Sequence, residues 1–406
     1  MRPKIYYLSS VVKVMKFNEF KVMIKKVLED VNLSTALTRA LKSYKSNRTR
    51  AISKFPYTAK LAEEVRKIKE ESIEDLENLL KITSENMEEN GIVTHFARNS
   101  DEARKIVYEL LSDCNLIVKS KSMTTEEIGL REFLESKGIE VWETDLGEFI
   151  IQILNERPMH IITPAIHIPR EVIAEVISRK TRINCSEIPE IVSAVRRYLR
   201  EKFHKAEAGI SGANVVAADT GSLILIENEG NIRLTTGLPE KHIAIVGIEK
   251  IVPTLNDALK VAEVIWRYAG YTVPSYINII SSPSKTGDIE KVIVKGAHGP
   301  RELHVVFLDN GRLKASKDKT LKKALYCLRC GACMYECPVY QQLSGYWGEA
   351  YMGEIGVAGA AITGGDYTHL AFLCLLCGRC AEYCPMKIDS SEIIRELRSR
   401  LCSKYF

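Results

Sequence analysis

Long apolar runs are missing from this 406-residue chain. None reaches the roughly eighteen residues that a membrane-crossing helix needs. A strong charge of one sign is missing as well. Lys and Arg number 57 and Asp and Glu 52, and a formal +5 is too slight to argue for nucleic-acid binding. No G-x-G-x-x-G follows a strand pattern, so no dinucleotide site is evident. His160 and His167 have the spacing of no standard metal-binding pair. At the N-terminus the apolar stretch before Lys13 is short and no small-residue cleavage site follows, which argues against a signal peptide. Met15 competes with Met1 as the true start. The remainder, 46% apolar and 27% charged, is ordinary for a soluble globular protein with two or three domains.

Cysteine is plentiful: there are eleven. An odd count without an export signal argues against a disulfide framework. Eight fall in two runs, Cys327-x-x-Cys330-x-x-Cys333-x-x-x-Cys337-Pro338 and Cys374-x-x-Cys377-x-x-Cys380-x-x-x-Cys384-Pro385. This C-x2-C-x2-C-x3-C-P spacing is the one that holds a [4Fe–4S] cube, with the fourth cysteine crossing to the other cluster. The expected ligand sets are Cys327, Cys330, Cys333 and Cys384 for cluster one. For cluster two they are Cys337, Cys374, Cys377 and Cys380. Two zinc sites are the alternative, although zinc motifs usually pair a C-x2-C with a distant second pair. Two adjacent clusters make a one-electron wire, and oxygen-sensitive clusters place the chain in the cytoplasm. Cys114, Cys185 and Cys402 read as buried or bystander thiols.

In chain order, residues 1–90 read as an N-terminal helical region. A helix spans Phe17 to Leu28, and a second is capped at Leu33-Ser34-Thr35. A long charged helix runs from Thr58 to Asn90, most simply a solvated face beside an apolar stripe. Residues 91–310 alternate short apolar strands with helices, the signature of a mainly parallel α/β sheet. The strands expected there include Ile92–Phe96, Leu116–Lys119, Glu140–Trp142, His160–Ile162, His242–Val246, Tyr276–Ile280 and Leu303–Leu308. Thr124–Ser136 reads as one helix among them, and two strands meet at Asp219-Thr-Gly-Ser222. Residues 311–406 form the α-helical two-cluster region. Its lysine-rich entry reads as a solvated linker, with docking of an acidic partner or compensation of cluster charge as alternatives.

Several stretches then resemble a known family. They are Lys119-Ser-Lys-Ser-Met-Thr-Thr-Glu-Glu-Ile-Gly-Leu130, Glu143-Thr-Asp-Leu-Gly-Glu148 and His160-Ile-Ile-Thr-Pro-Ala-Ile-His167. With them go Gly212-Ala-Asn214, Asp219-Thr-Gly-Ser222, Asn228-Glu-Gly-Asn231, Gly299-Pro-Arg-Glu-Leu-His-Val-Val306 and Asp309-Asn-Gly-Arg312. Together with the cysteine runs they resemble lactate utilization protein B, the LUD-domain iron–sulfur subunit of L-lactate oxidation. The resemblance implies an α/β domain similar to the NagB/RpiA/CoA-transferase-like fold, followed by a dicluster ferredoxin-type domain. It also implies a complex with a cysteine-rich-domain subunit and a smaller LUD-domain subunit, with a flavin- or quinone-linked acceptor. The chain stops soon after the second run, short of the tail usual in that family. Asp219 stands where many relatives carry Glu, and Met352 and Glu354 stand where prolines are common.

Oxidising a 2-hydroxy acid needs a cation for the carboxylate, a base for the hydroxyl proton and an electron acceptor. Strand ends and turns offer Lys119, Glu126, Glu127, Asp145, His160, His167, Asp219, Thr220, Asn228 and Arg233. Each has a plainer reading: His160 and His167 as hydrogen-bonded structural histidines, Asp145 as a helix cap, Thr220 as a hairpin turn. The leading function is electron transfer for lactate oxidation. A redox adaptor of a heterodisulfide-reductase-like assembly and an acid- or acyl-CoA-binding regulatory module are the alternatives.

Overall fold

The computed structural model describes residues 17–403; the two candidate start methionines and the segment before Lys13 lie outside them. Four helices lead, Phe17–Leu28, Val31–Lys54, Thr58–Glu74 and Leu76–Glu89. Twelve strands follow in order. They are β1 Val93–Ala97, β2 Leu116–Lys119, β3 Glu140–Glu143, β4 Ala208–Ser211, β5 Val215–Ala217, β6 Ser222–Glu227, β7 Lys241–Gly247, β8 Ile251–Val252, β9 Tyr276–Ile280, β10 Lys285–Thr286, β11 Val294–Lys295 and β12 Glu302–Leu308.

Six of them form one sheet in the order β1-β12-β7-β4-β2-β3, parallel throughout. A parallel sheet is covered on both faces, which is why its strands are rich in Val and Ile. Side chains alternate across it. Ile117 and Val141 pack with Ala103, Val107 and Leu134 on one face, whereas Val118 and Trp142 pack with Phe149, Ile177 and Val195 on the other. Val305 and Phe307 of β12 turn instead into the largest core. That core unites the N-terminal helices (Leu37, Val65, Ile73), the smaller sheet β8-β5-β6-β9 and the cysteine-rich region (Tyr335, Trp347, Ile394). Burying side chains of this size is worth about 1.5–3 kcal/mol each. The helices before the sheet and those after it are therefore packed as one body around it.

Several expected elements differ. The second helix starts at Asp30, whose carboxylate accepts the N–H of Leu33 at 3.0 Å, rather than at Leu33-Ser34-Thr35. The long helix is two, broken at Asp75 (φ −105°, ψ 26°), a residue type that favours helix ends over interiors. Thr124–Ser136 is also two, Met123–Glu127 and Leu130–Ser136, because Gly129 takes the left-handed conformation between them. His160–Ile162 is not a strand. The His160 ring accepts the N–H groups of Ile162 and Thr163 at 3.0 and 3.2 Å, so its own backbone is turned into a side-chain-capped loop. The lysines after the sheet reach carboxylates of this same chain: Lys317 to Glu77 (2.6 Å), Lys322 to Glu74 (3.4 Å) and Lys323 to Glu392 (2.6 Å).

Candidate functional site

The two cysteine runs share one backbone course. Arg329 and Leu376, at equivalent places, have φ of 61° and 55°; Gly331 and Gly378 have 77° and 76°. A side-chain-bearing residue in that region costs about 1–2 kcal/mol, so something must hold it there. In both runs the N–H of that residue points at the sulfur two positions back, Arg329 to Cys327 and Leu376 to Cys374, each at 3.4 Å. Such bonds stabilise electron-rich sulfur.

The loops surround two cavities. One is lined by Cys327, Cys330, Cys333 and Cys384, with Leu328, Met334, Met352 and Met386, and with Met123 and Ile161 contributed by the α/β domain. The other is lined by Cys337, Cys374, Cys377 and Cys380, with Val339, Trp347, Glu354, Leu375 and Ser391. The fourth cysteine of each run faces the other run's cavity. Among the described residues no three His, Cys, Asp or Glu side chains gather tightly enough to grip a single metal ion. Each foursome instead encloses a volume, as a cube requires and a lone tetrahedral ion does not. Burial pushes the thiols up, Cys384 to about 11 and Cys380 to about 12, with Cys330, Cys333 and Cys337 also raised. A bare thiolate is disfavoured there, and bound iron supplies the positive charge that reverses this.

The surroundings of the two cavities differ. Beside the first, Arg329 lies over the Tyr351 ring at 3.9 Å and faces Glu249 at 3.6 Å. Arg312 bonds Glu249 and also forks onto Glu127 at 2.7 and 2.9 Å, and Tyr351 gives its hydroxyl to Glu127 at 2.7 Å. Lys69 bonds the Glu249 carbonyl, and Lys250 bonds that of Ala213. Burial raises Glu249, but Arg312, Arg329, Lys250 and Lys69 outweigh it and hold the carboxyl at about 2. Burial brings Lys69 and Lys250 down to about 8. From the N-terminal helices, Arg48 donates to the Ala332 carbonyl (3.2 Å) and to Glu336 (3.0 Å), and Lys45 pairs with Glu336 at 2.9 Å. The second cavity is nearer solvent: Cys377 is exposed, and Phe372 and Leu375 are 54% and 66% exposed.

Glu354 was not singled out as a site residue from sequence, and neither was Arg329. Glu354 stands on the first turn of the helix Gly353–Thr363, 1% exposed, and neither carboxyl oxygen has a hydrogen-bond partner. The groups it faces are the sulfurs of Cys333 and Cys337, one from each cavity, and burial raises its pKa. An acidic residue in a helix otherwise made of Gly, Ala, Ile, Val and a terminal Thr was the available signal.

The candidates in the α/β domain do not meet at one point. Lys119 is fully buried at the end of β2 between Glu126 and Glu143, 2.8 Å from each. Burial opposes its charge, but the two carboxylates outweigh burial and raise its pKa. Glu127 belongs to the Arg312 network. Asp145 caps the helix Leu146–Leu154 by accepting the Glu148 N–H at 3.0 Å. His160 is buried parallel to Tyr44, with ring centres 5.0 Å apart, and burial takes its pKa to about 3. His167 is half-buried in the same loop. Asp219 accepts the Leu255 N–H at 2.9 Å, and Asn228 accepts that of Ser275 at 3.0 Å. The Thr220 carbonyl accepts from Asn90 at 3.0 Å and its hydroxyl from Ser222 at 2.8 Å. Arg233 pairs with Glu227 at 3.2 Å and lies over Tyr276.

Comparison with known proteins agrees with this anatomy. Residues 80–308 match the LUD domain, and residues 323–388 match the 4Fe-4S dicluster domain. This is a LUD-domain protein whose cofactors are two [4Fe–4S] clusters. A lactate utilization protein B of Bacillus licheniformis is 36% identical over 397 residues, covering 95% of this chain and 81% of the relative. An uncharacterized electron transport protein of Escherichia coli, YkgF, is 34% identical over 393 residues, again 95% and 81%. The chain belongs to the lactate utilization protein B family. A crystal structure of a DUF162 family protein from Deinococcus radiodurans aligns with 57% of this chain and 98% of its own, at TM-score 0.33 and 15% identity. Among the described residues no helix is long and apolar enough to cross a membrane.

Proposed function

We propose that the chain is the electron-transferring iron–sulfur subunit of a cytoplasmic L-lactate-oxidising complex. In this reading Cys327, Cys330, Cys333 and Cys384 hold the first cluster, and Cys337, Cys374, Cys377 and Cys380 hold the second. The observation that carries it is the pair of four-cysteine cavities, each completed by the other run's fourth cysteine. The bound clusters supply one-electron chemistry. The chain's own part is to ligate them, to bond their sulfurs through backbone N–H groups and to exclude water with Met334, Met352 and Trp347. The substrate class rests on the relatives' printed names. The closed α/β candidates favour placing the hydroxyl oxidation on a partner, of the kinds expected above: a cysteine-rich-domain subunit and a smaller LUD-domain subunit with a flavin- or quinone-linked acceptor.

The test is anaerobic co-expression with the genes that neighbour it, followed by addition of L-lactate while the reduced-cluster EPR signal is recorded. Lactate-dependent reduction is the expected result. Reduction by dithionite but not by lactate removes the substrate assignment and leaves a general electron carrier.

A further inference from the structure

The duplicated runs have the same spacing and the same backbone, yet they differ in charge where that charge matters most. Arg329 stands between Cys327 and Cys330; its counterpart between Cys374 and Cys377 is Leu376. Arg329 is part of the first cavity's wall. Behind it lie Arg312, Lys69 and Lys250 together with the carboxylates Glu127 and Glu249; Arg312, Lys69 and the two carboxylates are buried, while Lys250 and Arg329 are partly buried, the Arg329 side chain 20% exposed. Within this group of six, four cations meet two anions, an excess of positive charge beside the first cavity.

Beside the second cavity stand Arg398, half-exposed, with its guanidinium committed to the carbonyls of Ala371 (3.0 Å) and Cys374 (2.5 Å), and Arg379, which follows Gly378 where the first run has Ala332 but is exposed to solvent. Glu354 faces one cysteine of each cavity and belongs to the lining of the second, to which it brings no positive charge. A cube ligated by four thiolates is anionic and becomes more so when it accepts an electron, so nearby fixed positive charge favours reduction. Water around Cys377 acts in the same direction for the second cluster. Solvent responds at high dielectric, however, whereas buried guanidinium charge acts through a low one, and the latter effect is the larger.

We propose that Arg329 makes the cluster of Cys327, Cys330, Cys333 and Cys384 the higher-potential member of the pair, so that electrons come to rest on the cluster against the α/β domain while the solvent-facing cluster is the low-potential relay. This rests on the ligand sets proposed above. Arg329 is a positioning residue here, acting on the cluster through its charge. The first cluster fills first on reduction, and an electron leaving through the surface cluster moves uphill.

The experiment is an EPR-monitored redox titration of the anaerobically prepared full chain and of the variants Arg329→Leu, Arg329→Lys and Leu376→Arg. Wild type is expected to give two midpoint potentials. Arg329→Leu should lower only the higher one, Arg329→Lys should leave it nearly in place, and Leu376→Arg should raise only the lower one. Should Arg329→Leu fail to fold, Leu376→Arg decides alone, because raising the higher potential instead would overturn the proposal. A shift of the lower potential by Arg329→Leu, or no shift in either variant, overturns it as well. Failure of the underlying ligand sets looks different: wild type itself would lack two cluster signals and the matching iron.

Discussion

The candidate side chains of the α/β domain and the thiols of the cysteine-rich region meet different surroundings. In the sheet, Lys119 is clasped by Glu126 and Glu143, Asp145 caps a helix, and Thr220 and Arg233 have bonded neighbours of their own. In the cysteine-rich region eight thiols face two enclosed volumes, and Glu354 lies between them with neither oxygen bonded. A charged side chain at a strand end is thus weak grounds for a site, because burial obliges it to find a partner within the protein. Four sulfurs converging on one space are strong grounds, because the few N–H groups that reach them do not fill it.

The sharpest way to break this contrast is to remove a sulfur. Cys330→Ser should cut bound iron by about half, one cluster of two. Iron and sulfide analysis alongside EPR checks this, and an unchanged iron content contradicts the ligand sets. Next is the network that joins the two regions. Arg312→Leu leaves Glu127 and Glu249 buried without their main partner, which should cost about 3–5 kcal/mol. Chemical denaturation monitored by far-UV circular dichroism measures it; a loss below about 1 kcal/mol, the value of an exposed pair, would place the network in solvent.

A smaller effect belongs to Asp145. If its role is to cap, Asp145→Ala should cost about 1 kcal/mol and leave both midpoint potentials unmoved. A moved potential would restore it as a functional residue. The smallest concerns Asp318, which Arg400 hydrogen-bonds at 2.8 and 3.1 Å and holds at about 2, below its ordinary 3.8. A depressed carboxyl stabilises the fold above its unfolded pKa, and that contribution is lost as pH falls through the folded value. Stability should therefore decline between pH about 4 and 2 less steeply in Asp318→Asn than in wild type. Because the pair is still a quarter to a third exposed, solvent screening keeps the difference slight. Equal slopes in acid titrations of the two proteins would dismiss it.

Much of this architecture could be read from residue order. The alternation of Val- and Ile-rich strands with helices is a local pattern, and a parallel sheet follows from it. The cysteine spacing is local too, since the first three sulfurs of each run lie within a few residues. What local pattern did not carry was long-range pairing. Nothing near Arg329 announces Glu249, eighty residues earlier by number, and nothing near His160 announces that its ring would take two backbone N–H groups and dissolve an expected strand. The pattern predicts single helices where Asp75 and Gly129 divide them, because an apolar stripe continues across a break that only the backbone angles record.

The clasp of Arg48 on Glu336 bears on how the protein is made. The two residues are 288 positions apart, so at ribosomal speeds of roughly 5–20 residues per second the arginine emerges tens of seconds before its acceptor exists. Until then the leading helices have no cysteine loop to close over. The iron–sulfur cofactors can be sealed in only after both cysteine runs have been made, and until then the apolar faces of those waiting helices stay uncovered.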